Sequence, residues 1–211
     1  MKLYLILIST IITLVNSHEG GHHNEDSDIT KFMKHLEVIP DVITEGPKNF
    51  LTINFDSGVQ ADKGVELKPV QVKNQPKLKW DANKDSFYTI IMTDPDAPSS
   101  ENPKMREWHH WLVGNVPGDD IEKGEILSEF VSSAPPKDTG LHRYVLLVYK
   151  QPDGKINFDE PRLKNNSAEG RGNFSTKKFI EKYKFGAPEA GNFYQAQYDD
   201  YVPTVHKQLG F

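Results

Sequence analysis

Asp94 and Asp96 flank a single proline, and a Trp-His-His-Trp run, Trp108 to Trp111, comes after a short polar stretch. Carboxylates beside imidazoles serve general acid–base catalysis, metal ligation or plain recognition of a polar ligand. His142 and Tyr144 add a second imidazole close to an aromatic ring. Before them, Ser132 to Gly140 is a small-residue loop stiffened by Pro135 and Pro136, a kind of segment that lets a ligand approach the backbone. Catalysis needs more than this. The chain has no cysteine, no G-x-S-x-G nucleophile motif and no H-E-x-x-H metal motif. No catalytic residue, cofactor or metal site is expected. A plain structural reading also stands, because Asp and Pro are ordinary turn residues that bond local N–H groups.

Strand geometry narrows the set. If Trp108 to Val113 is extended, Trp108, His110 and Leu112 share one face, and His109, Trp111 and Val113 share the other. Of the two adjacent histidines, one alone then faces a pocket. The same alternation joins His142 to Tyr144, with Leu146 and Val148 continuing that face into a core.

The elements that must position these residues are mostly strands. Leu51, Ile53 and Phe55 alternate with polar neighbours. Phe87 to Met92 and Tyr144 to Tyr149 are apolar throughout, as strands covered on both faces are. Val70 to Val72, Leu78 to Trp80, Trp111 to Val116 and Phe193 to Tyr198 read as further strands. Helices are few. One starts at Asp28, capped by Asp28 or Thr30, with Ile29, Phe32, Met33 and Leu36 on its apolar side and Pro40 as its end. A second starts from the Ser175 cap and reaches Phe185, stapled by Phe174 and Phe179 and stopped by Gly186. A last short segment ends near Leu209. Many short strands first and helix late predict a mainly β domain, a sandwich with a few peripheral helices.

Composition bounds the rest. At 211 residues, 36% of them apolar, the chain can bury one core. A net charge of −5 with no basic stripe excludes a general nucleic-acid binder. Residues 1–17 differ in character from the remainder of the chain: Lys2, the 13-residue apolar run Leu3 to Val15, then Val15 and Ser17 placed as at a cleavage site. They predict a signal peptide and, being too short to span a bilayer, no transmembrane segment. Residues 18–28, with His18, His22 and His23, read as a flexible tail, and residues 29–211 as a single domain. Asn165 and Asn173 open glycosylation sequons, which suits a secreted, extracellular protein.

Four stretches carry a resemblance: TDPDAPS at 93–99, REWHHWLVGN at 106–115, PPKDTGLHRYVLLVYKQ at 135–151 and YQAQYDDYVP at 194–203. In order and spacing they resemble the phosphatidylethanolamine-binding protein family, which includes the Raf kinase inhibitor proteins and the plant flowering regulators. QVKNQP at 71–76 and EPRL at 160–163 extend the likeness to most of residues 37–209. The resemblance implies antiparallel sheets packed as a Greek-key sandwich, a C-terminal helix near a pocket, and a small site for phosphate or a phosphorylethanolamine head group. By motif the pocket comprises Asp94, Ala97, Pro98, Trp108, His110, the 132–136 loop with Ser132, Ala134 and Pro135, His142 and Tyr144. Asp96 stands beside Asp94, and His206 at the rim takes the place of a tyrosine on the last helix. A cis bond between Arg106 and Glu107 is implied as well. Ser132 and Ala134 replace family glycines, and Met105 stands where a tyrosine is common.

An anion beside two aspartates is held only where donors outnumber acceptors. Tyr144 O–H, the ring N–H groups of His110 and His142, and loop N–H groups are the candidate donors. One aspartate is expected to orient a histidine or accept an ammonium. The expected function is a secreted, non-enzymatic protein that binds a phospholipid headgroup or small anionic ligand. One alternative is an inhibitor of a protease or signalling kinase, with that protein as partner. Another is a hydrolase using Asp94 or Asp96 with a histidine as acid and base.

Overall fold

A computed structural model describes residues 27–211; the expected signal peptide and most of the 18–28 tail lie outside the described residues. The chain opens with helices α1 (Asp28–His35) and α2 (Val38–Asp41). Five short strands come next: β1 (Asn49–Phe50), β2 (Thr52–Asn54), β3 (Gln60–Ala61), β4 (Val65–Glu66) and β5 (Lys77–Lys79). The long strands are β6 (Phe87–Asp94), β7 (Trp108–Pro117) and β9 (His142–Lys150), with β8 (Glu125–Ser128) between the last two in sequence. Helix α3 (Thr176–Lys182), strand β10 (Ala190–Ala196) and helix α4 (Val202–Leu209) complete the order.

Two sheets face each other. The larger runs β1-β10-β9-β6-β7-β8, antiparallel from β10 to β8, while β1 and β4 both pair parallel with β10 at its edge. The smaller is β3-β2-β5. Between them lies a core in which Leu51, Ile53 and Ala61 meet Ile90, Met92, Val113 and Leu146. On the outer face of the large sheet, Ile91, Leu112, Val145 and Leu147 pack against Ile29 and Met33 of α1 and Phe179 of α3. Strand β6, covered on both faces and hydrogen-bonded on both edges, is apolar throughout for that reason. A third, smaller cluster joins Ala97, Trp108 and Val131 to Val205 and Leu209 of α4, which seats α4 over the ends of the central strands.

The mainly β sandwich with peripheral helices is as the alternation predicts. Local details differ. Ser27 caps α1, accepting from the Thr30 amide, in place of Asp28 or Thr30. Asp28 is helical from the start. Helix α1 stops at His35, with Glu37 at φ 56°, and Pro40 lies inside α2. Phe32 is exposed, its ring under the Lys63 ammonium. Pro69 to Val72 form a 3₁₀ turn where a strand was expected at 70–72: Pro69 presets a helical φ, and the Gln71 amide bonds the Lys68 carbonyl at 2.8 Å. Helix α3 begins at the Ser175 cap with Phe174 and Phe179 stapled 5.6 Å apart, but it ends at Lys182. Lys184 at φ 57° turns the chain before Gly186 is reached. Strand β10 occupies 190–196, earlier than 193–198, because its register is set by β9 from Ala190 opposite Val148.

Candidate functional site

A cavity of about 490 Å³, mouth included, opens where β6, β7 and β9 meet the 132–136 loop and α4. Strand pairing assembles its floor. Asp94 at the end of β6 lies opposite Trp108 at the start of β7, and β9 runs along the other edge of β6, placing His142 and Tyr144 beside them. Ala97 and Pro98, joined by a cis peptide, form one wall, and Ala134 and Pro136 another. The implied cis bond at Arg106–Glu107 is also present. Met105, His206, Leu209 and Phe211 form the rim.

Trp108 and His110 do share the cavity side, their rings 4.4 Å apart, but strict alternation does not hold beyond them. Met92 pairs with Trp111 and Thr93 with His109, so His110 is the extra residue of a β-bulge. The bulge resets the phase. Trp111 and Val113 therefore join the core between the sheets, and Leu112 joins the helix-covered face. His109 points away from the cavity, its ring 4.6 Å from Phe174 and its Nε2 3.2 Å from Ser128 Oγ. Arg171 holds the bulge in place. Its fully buried guanidinium donates to the carbonyls of His109 at 3.2 Å, His110 at 3.3 Å, Glu129 at 2.8 Å and Lys164 at 2.9 Å. Burial pushes the Arg171 pKa down to about 10.

The ring N–H groups are already committed. His110 Nδ1 lies 2.9 Å from the Val131 carbonyl, which only accepts, so Nδ1 carries the hydrogen and Nε2 the lone pair. Burial pushes the His110 pKa down to about 3, against the pull of the Val131 bond, and the ring is neutral at physiological pH. The Thr139 hydroxyl donates to the Pro136 carbonyl at 2.7 Å, so at 2.9 Å it must accept from His142 Nε2. The other His142 nitrogen, Nδ1, shares a proton with Asp94 Oδ2 at 2.8 Å. Asp94 thus orients a histidine. Its burial raises its pKa, and the His142 hydrogen bond offsets this only in part. Tyr144 is fully buried; its hydroxyl completes no hydrogen bond of normal geometry, although the Ala134 backbone and the Ser133 side chain lie near enough to pull its pKa down. Burial, then the nearby Asp94 charge, raise its pKa well above the usual value and keep it a neutral donor.

Nine of the twelve expected site residues line the cavity: Asp94, Ala97, Pro98, Trp108, His110, Ala134, His142, Tyr144 and His206. Three do not. Asp96 turns away to Arg143, accepting from its amide at 2.8 Å, its Nε at 2.9 Å and its guanidinium at 2.7 Å. Burial works to raise the Asp96 pKa, but these bonds and the Arg143 charge outweigh it and hold it low. Ser132 spends its hydroxyl on the Val72 carbonyl at 3.2 Å, and Pro135 is buried behind the wall that Ala134 and Pro136 present. His206 donates from Nε2 to the Ala134 carbonyl at 3.0 Å, clasping α4 to the loop. Leu209 and Phe211 escaped the sequence reading as site residues. Leu209 had a signal, four positions after Val205 on one helical face; Phe211 had none.

Residues 53–187 match the family model described as phosphatidylethanolamine-binding protein. "Putative odorant-binding protein A5" of Drosophila melanogaster is 45% identical over 88% of this chain and 88% of its own length. The chain belongs to the phosphatidylethanolamine-binding protein family. The solution structure of CG7054 is 41% identical, with a TM-score of 0.69 over 83% of this chain and 99% of that one. A carboxypeptidase Y inhibitor, solved in complex with its cognate proteinase, superposes with a TM-score of 0.70 over 81% of this chain and 95% of its own. At 24% identity, that likeness shows the phosphatidylethanolamine-binding fold alone.

Proposed function

We propose that this chain is a secreted small-ligand-binding protein whose ligand occupies the cavity beneath α4. The ligand's polar end rests on Asp94, His110, His142 and Tyr144, and its apolar part lies along Met105, Leu209 and Phe211. The convergence of Asp94, His110, His142 and Tyr144 on one cavity with an apolar rim carries this reading. A concave, largely apolar cavity with a few convergent polar groups is the usual form of a small-ligand site. The family's name points to a phospholipid headgroup, and the name of the Drosophila relative to small odorants; both describe a small ligand with a polar end. Binding, and not turnover, suits a floor in which Asp94 is tied to His142 and Asp96 to Arg143. Secretion is supported by the apolar run at 3–15 and by the exposure of both sequon residues, Asn165 and Asn173.

Native mass spectrometry of protein recovered from the medium of secreting cells tests this. The wild-type protein should carry a small-molecule adduct, and Ala134→Phe, which fills the cavity from its wall, should fold but carry none. An adduct-free wild type, or equal adducts on both proteins, contradicts the reading.

A further inference from the structure

We propose that an N-linked glycan on Asn165 is a structural ligand of this protein, its first N-acetylglucosamine filling a groove beside strand β8. This rests on the chain being secreted, since the glycan is added on the secretory route.

The groove, about 590 Å³ with its mouth, is lined by Gln75, Trp111, Ile126, Glu129, Phe130 and Asn165 itself. Half of that lining is apolar. Ile126 on β8 is 54% exposed, and the half-buried Phe130 ring stands edge-on to the buried Trp111 ring at 6.0 Å. Large apolar side chains left in water at a concave site gain from a body that covers them. Among the polar lining, Glu129 is committed: its carboxylate accepts from Lys164 Nζ at 2.8 Å and from the Asn165 amide at 3.0 Å. The Gln75 side chain makes no hydrogen bond among the described residues, so it offers a ligand both a donor and an acceptor.

Asn165 opens the Asn165-Asn166-Ser167 sequon, and the fold holds its backbone still. Glu129 takes its amide hydrogen, and the Gln208 side chain on α4 donates to its carbonyl at 2.8 Å. Arg171 donates to the carbonyls of Lys164 and Ser167 on either side of it. Its own Nδ2 is left without a hydrogen bond among the described residues. In glycan transfer that nitrogen attacks C1 of the reducing-end sugar of a lipid-diphosphate-linked oligosaccharide. The C1–O bond breaks, the lipid diphosphate leaves, and one Nδ2 proton passes to solvent. A sugar so attached begins at the groove wall. Its C–H-bearing face matches Phe130 and Ile126, and its N-acetyl amide or a hydroxyl matches Gln75. The covalent tether keeps its local concentration high, so weak contacts suffice to seat it. Asn173, the other exposed sequon residue, provides the contrast. It stands at φ 60° with its amide on the Met105 carbonyl at 3.2 Å, and it does not line this groove.

Protein from the medium of secreting cells, trimmed by an endoglycosidase to a single N-acetylglucosamine per occupied site, tests this. Peptide mass mapping should find the sugar on Asn165, and NOEs should run from its N-acetyl methyl group to Phe130 and Ile126. Asn165→Gln, prepared in the same way, should lower the thermal midpoint by about 2–4 °C, and Asn173→Gln by no more than about 1 °C. Made in bacteria, without sugar, Asn165→Gln and the wild type should melt together. In Ile126→Ser, which alters a side chain that the core does not use, the midpoint gained from the sugar should shrink by at least about half. A sugar on Asn165 that makes no contact with Phe130 and Ile126 overturns the proposal. So does a gain undiminished in Ile126→Ser, or an Asn165→Gln loss as large in the bacterial protein. A secreted protein with Asn165 bare removes this inference alone; a protein that never reaches the medium removes the secretion reading with it.

Discussion

Tyr144 and Tyr194 stack with ring centres 5.1 Å apart and planes 18° apart, and Ser133 Oγ, 2.5 Å from the Tyr194 hydroxyl, makes no hydrogen bond of normal geometry with that of Tyr144. The two phenols share one environment and differ in satisfaction. Removing an unsatisfied buried hydroxyl relieves a penalty, whereas removing a paired one strands its partner. In ligand-stripped protein, Tyr144→Phe should leave the urea unfolding free energy unchanged or raise it by about 1 kcal/mol. Tyr194→Phe should lower it by about 1–2 kcal/mol. Equal losses for both variants would mean that Tyr144 has a partner in the free protein.

The two aspartates, two positions apart, should respond oppositely to amide substitution. In Asp94→Asn the amide can donate to His142 Nδ1 while Oδ1 still accepts from the Asp96 amide, now 2.7 Å away. Stability should stay within about 1 kcal/mol of the wild type, since no buried charge is orphaned. Asp96→Asn leaves the Arg143 guanidinium without its main buried counter-charge and should lose about 3 kcal/mol. Denaturant titration of the two variants side by side decides between them.

Arg171 secures the bulge that puts His110 in the cavity wall, so its loss should damage both stability and site. Arg171→Met fills much of the same space but abandons the carbonyls of His109, His110, Glu129 and Lys164. We expect a loss of at least about 3 kcal/mol, the desolvation penalty of several unpaired carbonyls. Among the surviving folded molecules, the imidazole resonances of both His109 and His110 should shift in NMR spectra. Unchanged His110 resonances would show that the bulge stands without the arginine.

Acid should unfold the protein through its buried histidines. Burial pushes both His109 and His110 from the ordinary 6.5 down to about 3. Between those values the unfolded chain binds more protons than the folded one, so stability rises with pH there. The contribution is complete above about pH 6.5 and drains away as pH falls towards 3. Unfolding free energy measured across this window should fall steeply with acid, and His109→Gln should flatten the slope by roughly one proton's worth. A slope identical in the variant would remove His109 from the account.

The strands, the sandwich and the pairings Trp108–His110 and His142–Tyr144 were legible because period-two alternation is written directly in side-chain type. The bulge was not. An extra residue in one strand depends on the partner strand and on Arg171, far along the chain, and leaves no local pattern around His110. Nor could the sequence separate Asp94 from Asp96: the difference comes from Arg143 and His142, adjacent on β9 but facing opposite sides of the sheet. The engagement of the ring N–H groups was hidden for a related reason. Ring N–H groups that look available in a sequence are consumed by carbonyls and hydroxyls, Val131 and Thr139, that only the fold brings near.

The central claim is that a small ligand sits in the cavity beneath α4, its polar end on the floor beside His110 and Tyr144. Intermolecular NOEs between the protein and the small molecule it carries from the secretion medium test it most directly. The account predicts contacts from the ligand's polar end to the His110 and Tyr144 rings, and from its apolar part to Leu209 and Phe211. Contacts to Leu36 and Leu141, beside the Asp96–Arg143 pair on the other side of the sheet, or none at all to the two rings, would contradict it.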